Sequence, residues 1–284
     1  MTTKSLSRSR FFLQFLVGFA LFLGFAPLHA QNAEMAPADA LVLRVTGDVQ
    51  IIRAGTPQDA ALPLNRREKI GQGDRVITGA PPSSVSLVFS NGSNLTVRPG
   101  TSLIFEELAQ IPFQAENGAT YGSLPAEPSE SRSRMRLEQG EVIGEVRGLK
   151  GVSVFEVATE VGTAGIRGTI FGVKIERVGS TWRLEITNAD GSVRYYSDVL
   201  GIAATELEAE NAASIEAEYD SETGQFTLSE ESQQSLSSDA ISAIIDEVEE
   251  ITEEAESDNS TTGNQEQTDS GDEGDDDEGV ISPA

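Results

Sequence analysis

Residues 161–173 read VGTAGIRGTIFGV, one guanidinium among small and apolar side chains. From Phe171 onward the chain alternates. Phe171, Val173 and Ile175 fall on one face, and Gly172, Lys174 and Glu176 on the other. A period of two marks a strand with one face in a core. Residues 182–186 repeat it, with Trp182, Leu184 and Ile186 opposed to Arg183 and Glu185. Gly165 and Gly168 break the alternation and supply backbone freedom or room for close approach, after which Thr169 and Phe171 resume the strand. Three roles stay open for Arg167 on these residues: ligand binding, catalysis, or a structural part set by turn and pairing geometry.

Outward from this stretch the same grammar continues. VSLVF (85–89) and LTV (95–97) flank Asn91-Gly92, while WRLEI precedes Asp190-Gly191 and VRYY, which predicts two hairpins. Strand-like pieces reach about Ser229, around a turn at Glu222-Thr223-Gly224. GDV at 47, GEV at 140 and GSV at 191 each open a Val-containing strand after a glycine, at spacings too irregular for a counted repeat. Residues 111–133 carry Pro, Gly, Ser and Glu without period and predict a long surface insertion. The expectation is an all-β class: a single domain of short, mostly antiparallel strands over residues 41–229, preceded by a linker over 31–40.

Charge divides the chain. Residues 31–194 hold 17 Lys+Arg and 19 Asp+Glu, whereas residues 195–284 hold 27 acidic residues and no basic one. A polyanionic end argues against nucleic acid or anionic lipid as its partner. Its SGDEGDDDEG segment (270–279) lacks the ligand spacing of an EF-hand, leaving only weak, diffuse binding of divalent cations. Within that acidic region residues 237–256 have a helical period through Ile241, Ile244, Ile245, Val248 and Ile251, with Ser238 or Asp239 as cap. Glu249, Glu250, Glu253, Glu254 and Glu256 oppose the helix dipole, so docking on the body, binding of a partner and fraying all stay open. Residues 257–284 contain nine acidic residues and only Val280 and Ile281 as large apolar side chains, which predicts a disordered acidic tail.

At the other end, Lys4, Arg8 and Arg10 precede the apolar run FFLQFLVGFALFLGFAPL, and residues 1–30 are expected to be a signal peptide cleaved after Ala30. The alternative is an uncleaved anchor over residues 11–28. The chain has no cysteine, and its one histidine, His29, lies in the signal. A mature chain without imidazole or thiol excludes Cys/His zinc sites, Cys nucleophiles, Ser-His-Asp triads and disulfides. Neither cofactor nor metal site is expected, and no catalytic residue is assigned. Glu106-Glu107 reads as solvated charge, since adjacent strand residues point to opposite faces. Trp182 reads as core and not as a sugar-stacking platform.

The order GDRVITG (73–79), SLVFSNGSNLTVRPGTSL (86–103), LEQGEV (137–142), FEVATEVGTAGIRGTIFGV (155–173), ITNADGSV (186–193) and LEAENAASI (207–215) resembles the FecR domain, an exported all-β module, over residues 41–218. The most specific part is IRGTIF, approached through Thr159 and Thr163. The resemblance implies that Gly165, Arg167, Gly168, Thr169 and Phe171 form a structural signature, in which Arg167 pairs with a carboxylate or backbone carbonyls at a turn; the alternative is an anion-binding Arg167. In FecR regulators a cytoplasmic region that handles a sigma factor precedes the membrane span, whereas ten residues precede the apolar run here. What the resemblance implies is therefore a non-catalytic interaction or scaffolding protein of the cell envelope, periplasmic or secreted. Its partner would be an envelope protein or glycan, and it would meet the membrane only if the N-terminal segment stays uncleaved. The alternative is a membrane-anchored regulator of envelope signalling.

Overall fold

The computed structural model describes residues 34–114 and 119–257, so the expected signal peptide and the tail beyond Ser257 lie outside the described residues. In chain order the strands are β1 (Ala36–Pro37), β2 (Ala40–Thr46), β3 (Val49–Ile52), β4 (Leu62–Pro63), β5 (Lys69–Ile70), β6 (Arg75–Thr78), β7 (Ser84–Phe89) and β8 (Asn94–Val97). They continue as β9 (Ser102–Gln110), β10 (Ser131–Val146), β11 (Val154–Ala158), β12 (Thr163–Val178), β13 (Thr181–Ser197), β14 (Ile202–Leu207), β15 (Asn211–Asp220) and β16 (Gln225–Ser235). One helix, α1 (Ser238–Ser257), follows. The all-β class expected from the alternation is what the chain adopts.

Three long strands organise the sheet because each changes partners halfway. The first part of β10 lies between β9 and parallel β11, and its second part between β8 and β12. β12 pairs with β11 through residues 163–165 and with β10 from Thr169 to Ile175. β13 follows β12 throughout, and on its other side passes from β15 to β14. Two layers result. The first runs β4-β3-β6-β9-β10-β11-β12-β13-β14, and the second β5-β2-β7-β8-β10-β12-β13-β15-β16. Strands that bend from one sheet into the other form the corners of such packings.

Glycines make the bends. Gly140 (φ +90°), Gly168 (φ +65°) and Gly191 (φ +90°) stand where β10, β12 and β13 change partners, in a backbone region that other residues rarely enter. The recurring GDV, GEV and GSV units thereby acquire a meaning: each glycine has positive φ, and each valine, Val49, Val142 or Val193, is the buried residue that enters the next layer. Asp190-Gly191 is accordingly not the expected hairpin, because β13 runs through it as a bulged corner. The hairpin between β12 and β13 is at Gly179-Ser180, with Gly179 at φ +67°. Asn91-Gly92 does close the β7–β8 hairpin, and Gly224 (φ +71°) closes β15–β16.

The core lies between the layers. Phe89 and Phe171 of the second layer meet Phe155 of the first edge-on, with ring centroids 5.4 and 6.0 Å apart. Trp182 packs at the rim of this core, half-buried and T-shaped against Phe226 at 6.0 Å, with the Arg177 guanidinium 5.2 Å from its ring.

Three sequence boundaries move. Residues 31–40, expected as a linker, contain β1, which pairs with β9, and the first residue of β2. The β region extends past 229 to Ser235, because β16 completes its pairing with β15 there. Residues 111–133 are more than a surface insertion: Ser131 opens β10, and Tyr121, Leu124 and Glu127 are buried. The Glu127 carboxylate is held there by donors from the Ser131 and Ser153 hydroxyls, at 2.5 and 2.8 Å, and from Lys150 N at 2.5 Å.

α1 docks on the outer face of the second layer, burying Val248, Ile251 and Ala255. Its cap is Ser237, one residue before the expected ones, whose Oγ accepts from Ala240 N at 3.2 Å. No helix among the described residues is long and apolar enough to cross a membrane.

Candidate functional site

The signature residues lie at the bend of β12 and divide between its two halves. Thr159 starts the approach: its hydroxyl donates to Gly162 O at 2.9 Å and accepts from the amides of Val161 and Gly162, which fixes the β11–β12 turn. Gly165 then lies on the outer face of the first layer, opposite Glu156 on one side and Arg194 on the other. Arg167 is exposed and donates to the carbonyls of Gly151 at 3.0 Å and Leu149 at 3.4 Å. Gly168 makes the bend, and Thr169 and Phe171 enter the second layer, both buried.

Behind the bend sits a polar staple that the sequence did not disclose. Asn188 is fully buried; its Oδ1 accepts from Thr169 Oγ1 at 2.8 Å, and its Nδ2 donates to Leu207 O at 2.7 Å and Gly191 O at 3.2 Å. The two corners touch so closely that a Cβ on Gly191 would lie 2.2 Å from Gly168 O. Buried polar groups paired this completely fix one register and leave none of these groups free for chemistry.

In front of the bend the outer face is concave. A groove of about 430 Å³ runs over β11, β12, β13 and β14, with Gly165 in its floor and Glu156, Arg167, Arg194, Tyr196 and Glu206 around it. The missing side chain at Gly165 is what deepens it. Its charged walls are already paired: Arg194 with Glu206 at 3.5 Å, and Glu156 with Arg134 at 2.9 Å. Ser192 donates from its hydroxyl to Glu206. The first layer thus brings Gly165 and Arg167 together with Arg194 and Glu206. Those partners come from strands distant in sequence, and no local motif announces them.

Glu106 and Glu107 depart from the expected alternation. β9 carries a bulge there, since Arg134 pairs with Glu107 and Met135 with Phe105. With Phe105 and Leu108 both buried, the two carboxylates share the outer face. Each meets an arginine of β10 at 2.5 Å, Glu106 with Arg136 and Glu107 with Arg134, so they form ion pairs.

No curated protein matches the chain. Two crystal structures of a proposed anti-sigma factor from Parabacteroides distasonis are similar, at 13% and 14% identity with TM-scores of 0.40 and 0.38. Each alignment covers 60% of this chain, and the chain spans 64% and 63% of those structures, less than two thirds of their length. Residues 74–194, from the end of the β5–β6 turn into β13, match the family described as FecR protein, so a FecR domain covers that part of the chain.

Proposed function

We propose that this chain is a non-catalytic, exported interaction module of the cell envelope, and that an envelope protein or glycan binds in the groove over the bend of β12. The observation that carries this reading is the groove itself: a concave, mixed-charge surface whose guanidiniums and carboxylates are paired around a glycine floor. Prepaired charges recognise polar partners by exchange of hydrogen bonds, and they lack the unpaired base next to a nucleophile that covalent chemistry needs. The sequence supports the same reading, because a chain cleaved after residue 30 has neither histidine nor cysteine.

A second reading, a membrane-anchored regulator of envelope signalling, is favoured by the apolar run over residues 11–28 together with the FecR match. Two measurements test these readings. A photocrosslinking residue at Ala204, in the groove, is expected to give a discrete adduct in intact cells, whereas one at the exposed Val199 gives none. Equal labelling at both positions, or none at either, counts against the groove. The mature N-terminus separates the readings: Gln31 marks the exported form, and Met1 or Thr2 the anchored one.

A further inference from the structure

The second layer has an outer face that is not built for water. β2 is buried on both sides, since Ala40 and Val42 face the core while Leu41 and Leu43 turn outward beside Val88 of β7. Ile251 and Ala255 of α1, with Tyr121, cover them. Flanking this patch are two guanidiniums. Arg44 reaches Glu250 at 2.6 Å and Glu254 at 3.4 Å, and Arg98 pairs with Glu247. Thr252 Oγ1 of the helix also accepts from Asn94 Nδ2 at 2.8 Å.

The helix presents its ligands in a fixed pattern. Glu247-Val248, Glu250-Ile251 and Glu254-Ala255 follow one another at intervals of three and four, which sets a carboxylate stripe beside an apolar stripe along one helix face. Hydrogen bonding to Glu250 keeps the Arg44 guanidinium charged more firmly than usual. Yet the helix is weak by itself, because its last turn has no basic residue and its glutamates repel one another. It is attached through Leu236-Ser237 to β16, an edge strand that is exposed along nearly its whole length. Two polar grooves of about 650 and 380 Å³ run along the docked helix, both lined by Arg44 and the second also by Arg98. Solvent-borne carboxylates can therefore reach both arginines before α1 leaves.

We infer that the outer face of the second layer is a docking surface for an acidic amphipathic helix of a partner protein, and that α1 is the chain's own competitor for it. The chemistry of the occupant is read from the occupant in place: two arginines take carboxylates, and Leu41, Leu43 and Val88 take the apolar stripe. Helix exchange between two copies fits less well, since a two-residue connection spans at most about 7 Å.

A labelled peptide of residues 238–257 is the probe, tested against the full chain and its Glu247→Lys/Glu250→Lys/Glu254→Lys variant. In the variant, α1 amides should lose protection from hydrogen exchange while those of β12 and β13 keep it. The peptide should bind this variant about tenfold or more tighter than the parent chain, and more weakly as salt rises. In the unmodified chain, salt alone should deprotect α1 selectively, a measurement that decides the matter even if the variant fails to fold. The proposal is overturned by a variant that releases α1 and ignores the peptide, by α1 protection indifferent to salt, or by a dimer that forms in place of peptide binding.

Discussion

Thr169 Oγ1 donates a 2.8 Å hydrogen bond to Asn188 Oδ1, and this bond ties the bend of β12 to the bend of β13. Asn188→Ala would leave the buried carbonyl of Leu207 without its donor, whereas the carbonyl of Gly191, an exposed residue, can turn to water. The expected loss is about 2 kcal/mol, since a stranded buried group costs roughly 1–3 kcal/mol. Thr169→Val removes one bond and should cost less. Chemical denaturation of both variants and of the double variant checks this: two residues of one network should be non-additive, and simple addition would show that they act separately.

The corner glycines should rank by steric surroundings. In Gly191→Ala the new Cβ meets Gly168 O at 2.2 Å and Thr169 Cα at 3.0 Å, so the two corners must part. In Gly168→Ala the nearest atom is Gly148 Cα at 3.8 Å, and in Gly179→Ala nothing lies within 4 Å. Those two variants carry only the backbone cost of a side chain at positive φ, about 1–2 kcal/mol. Gly191→Ala should exceed both by well over 1 kcal/mol. Thermal midpoints in any other order would remove the close contact as the explanation.

These corners also mark where sequence reading stopped. The alternation through Phe171, Val173 and Ile175 and through Trp182, Leu184 and Ile186 was legible because each strand has one face in the core. Asp190-Gly191 misled because an Asp-Gly pair supplies positive φ equally to a hairpin turn and to a bulged corner, and only the partner strands distinguish them. Glu106-Glu107 misled for a related reason, since a bulge in β9 shifts the alternation and leaves no residue type as its signature. The IRGTIF stretch singled out Arg167 and left its role open; in the fold its guanidinium donates to the carbonyls of Gly151 and Leu149. The groove it borders was hidden, because Arg194 and Glu206 reach it only through strand pairing. The acidity of α1 pointed to fraying, and Arg44 and Arg98, which offset it, lie more than a hundred residues away.

Glu127 connects the segment over residues 111–133 to the groove. It accepts from Ser153 Oγ and Lys150 N, and the carbonyl of Gly151 in the same loop receives Arg167. Glu127→Ala should therefore loosen residues 148–153 and, through them, Arg167. Its stability cost should be about 3 kcal/mol, chiefly from the two buried hydroxyls of Ser131 and Ser153 left without an acceptor. The coupling shows in a cycle with Arg167→Ala: once Glu127 is gone, removing Arg167 should cost less than it does in the parent chain. A cost that stays the same would mean that the loop holds its shape without the carboxylate.

Glu141 should make the stability of the fold depend on pH. Burial pushes its carboxyl above the ordinary range, against the pull of Arg98 and Lys174. A raised value means that the folded chain holds this proton more tightly than the unfolded chain does. Ionisation then costs stability, with no penalty below about pH 4.3, where both states are protonated, and the full penalty once the pH exceeds the raised value. Glu141→Gln keeps the shape and removes the titration, and Arg98 is not stranded because Glu247 remains its partner. The variant should match the parent near pH 4 and exceed its thermal midpoint at pH 7.5, with the gap opening between. A parent chain that outlasts the variant at pH 7.5 would show that attraction to Arg98, 3.6 Å away, outweighs the cost of burial.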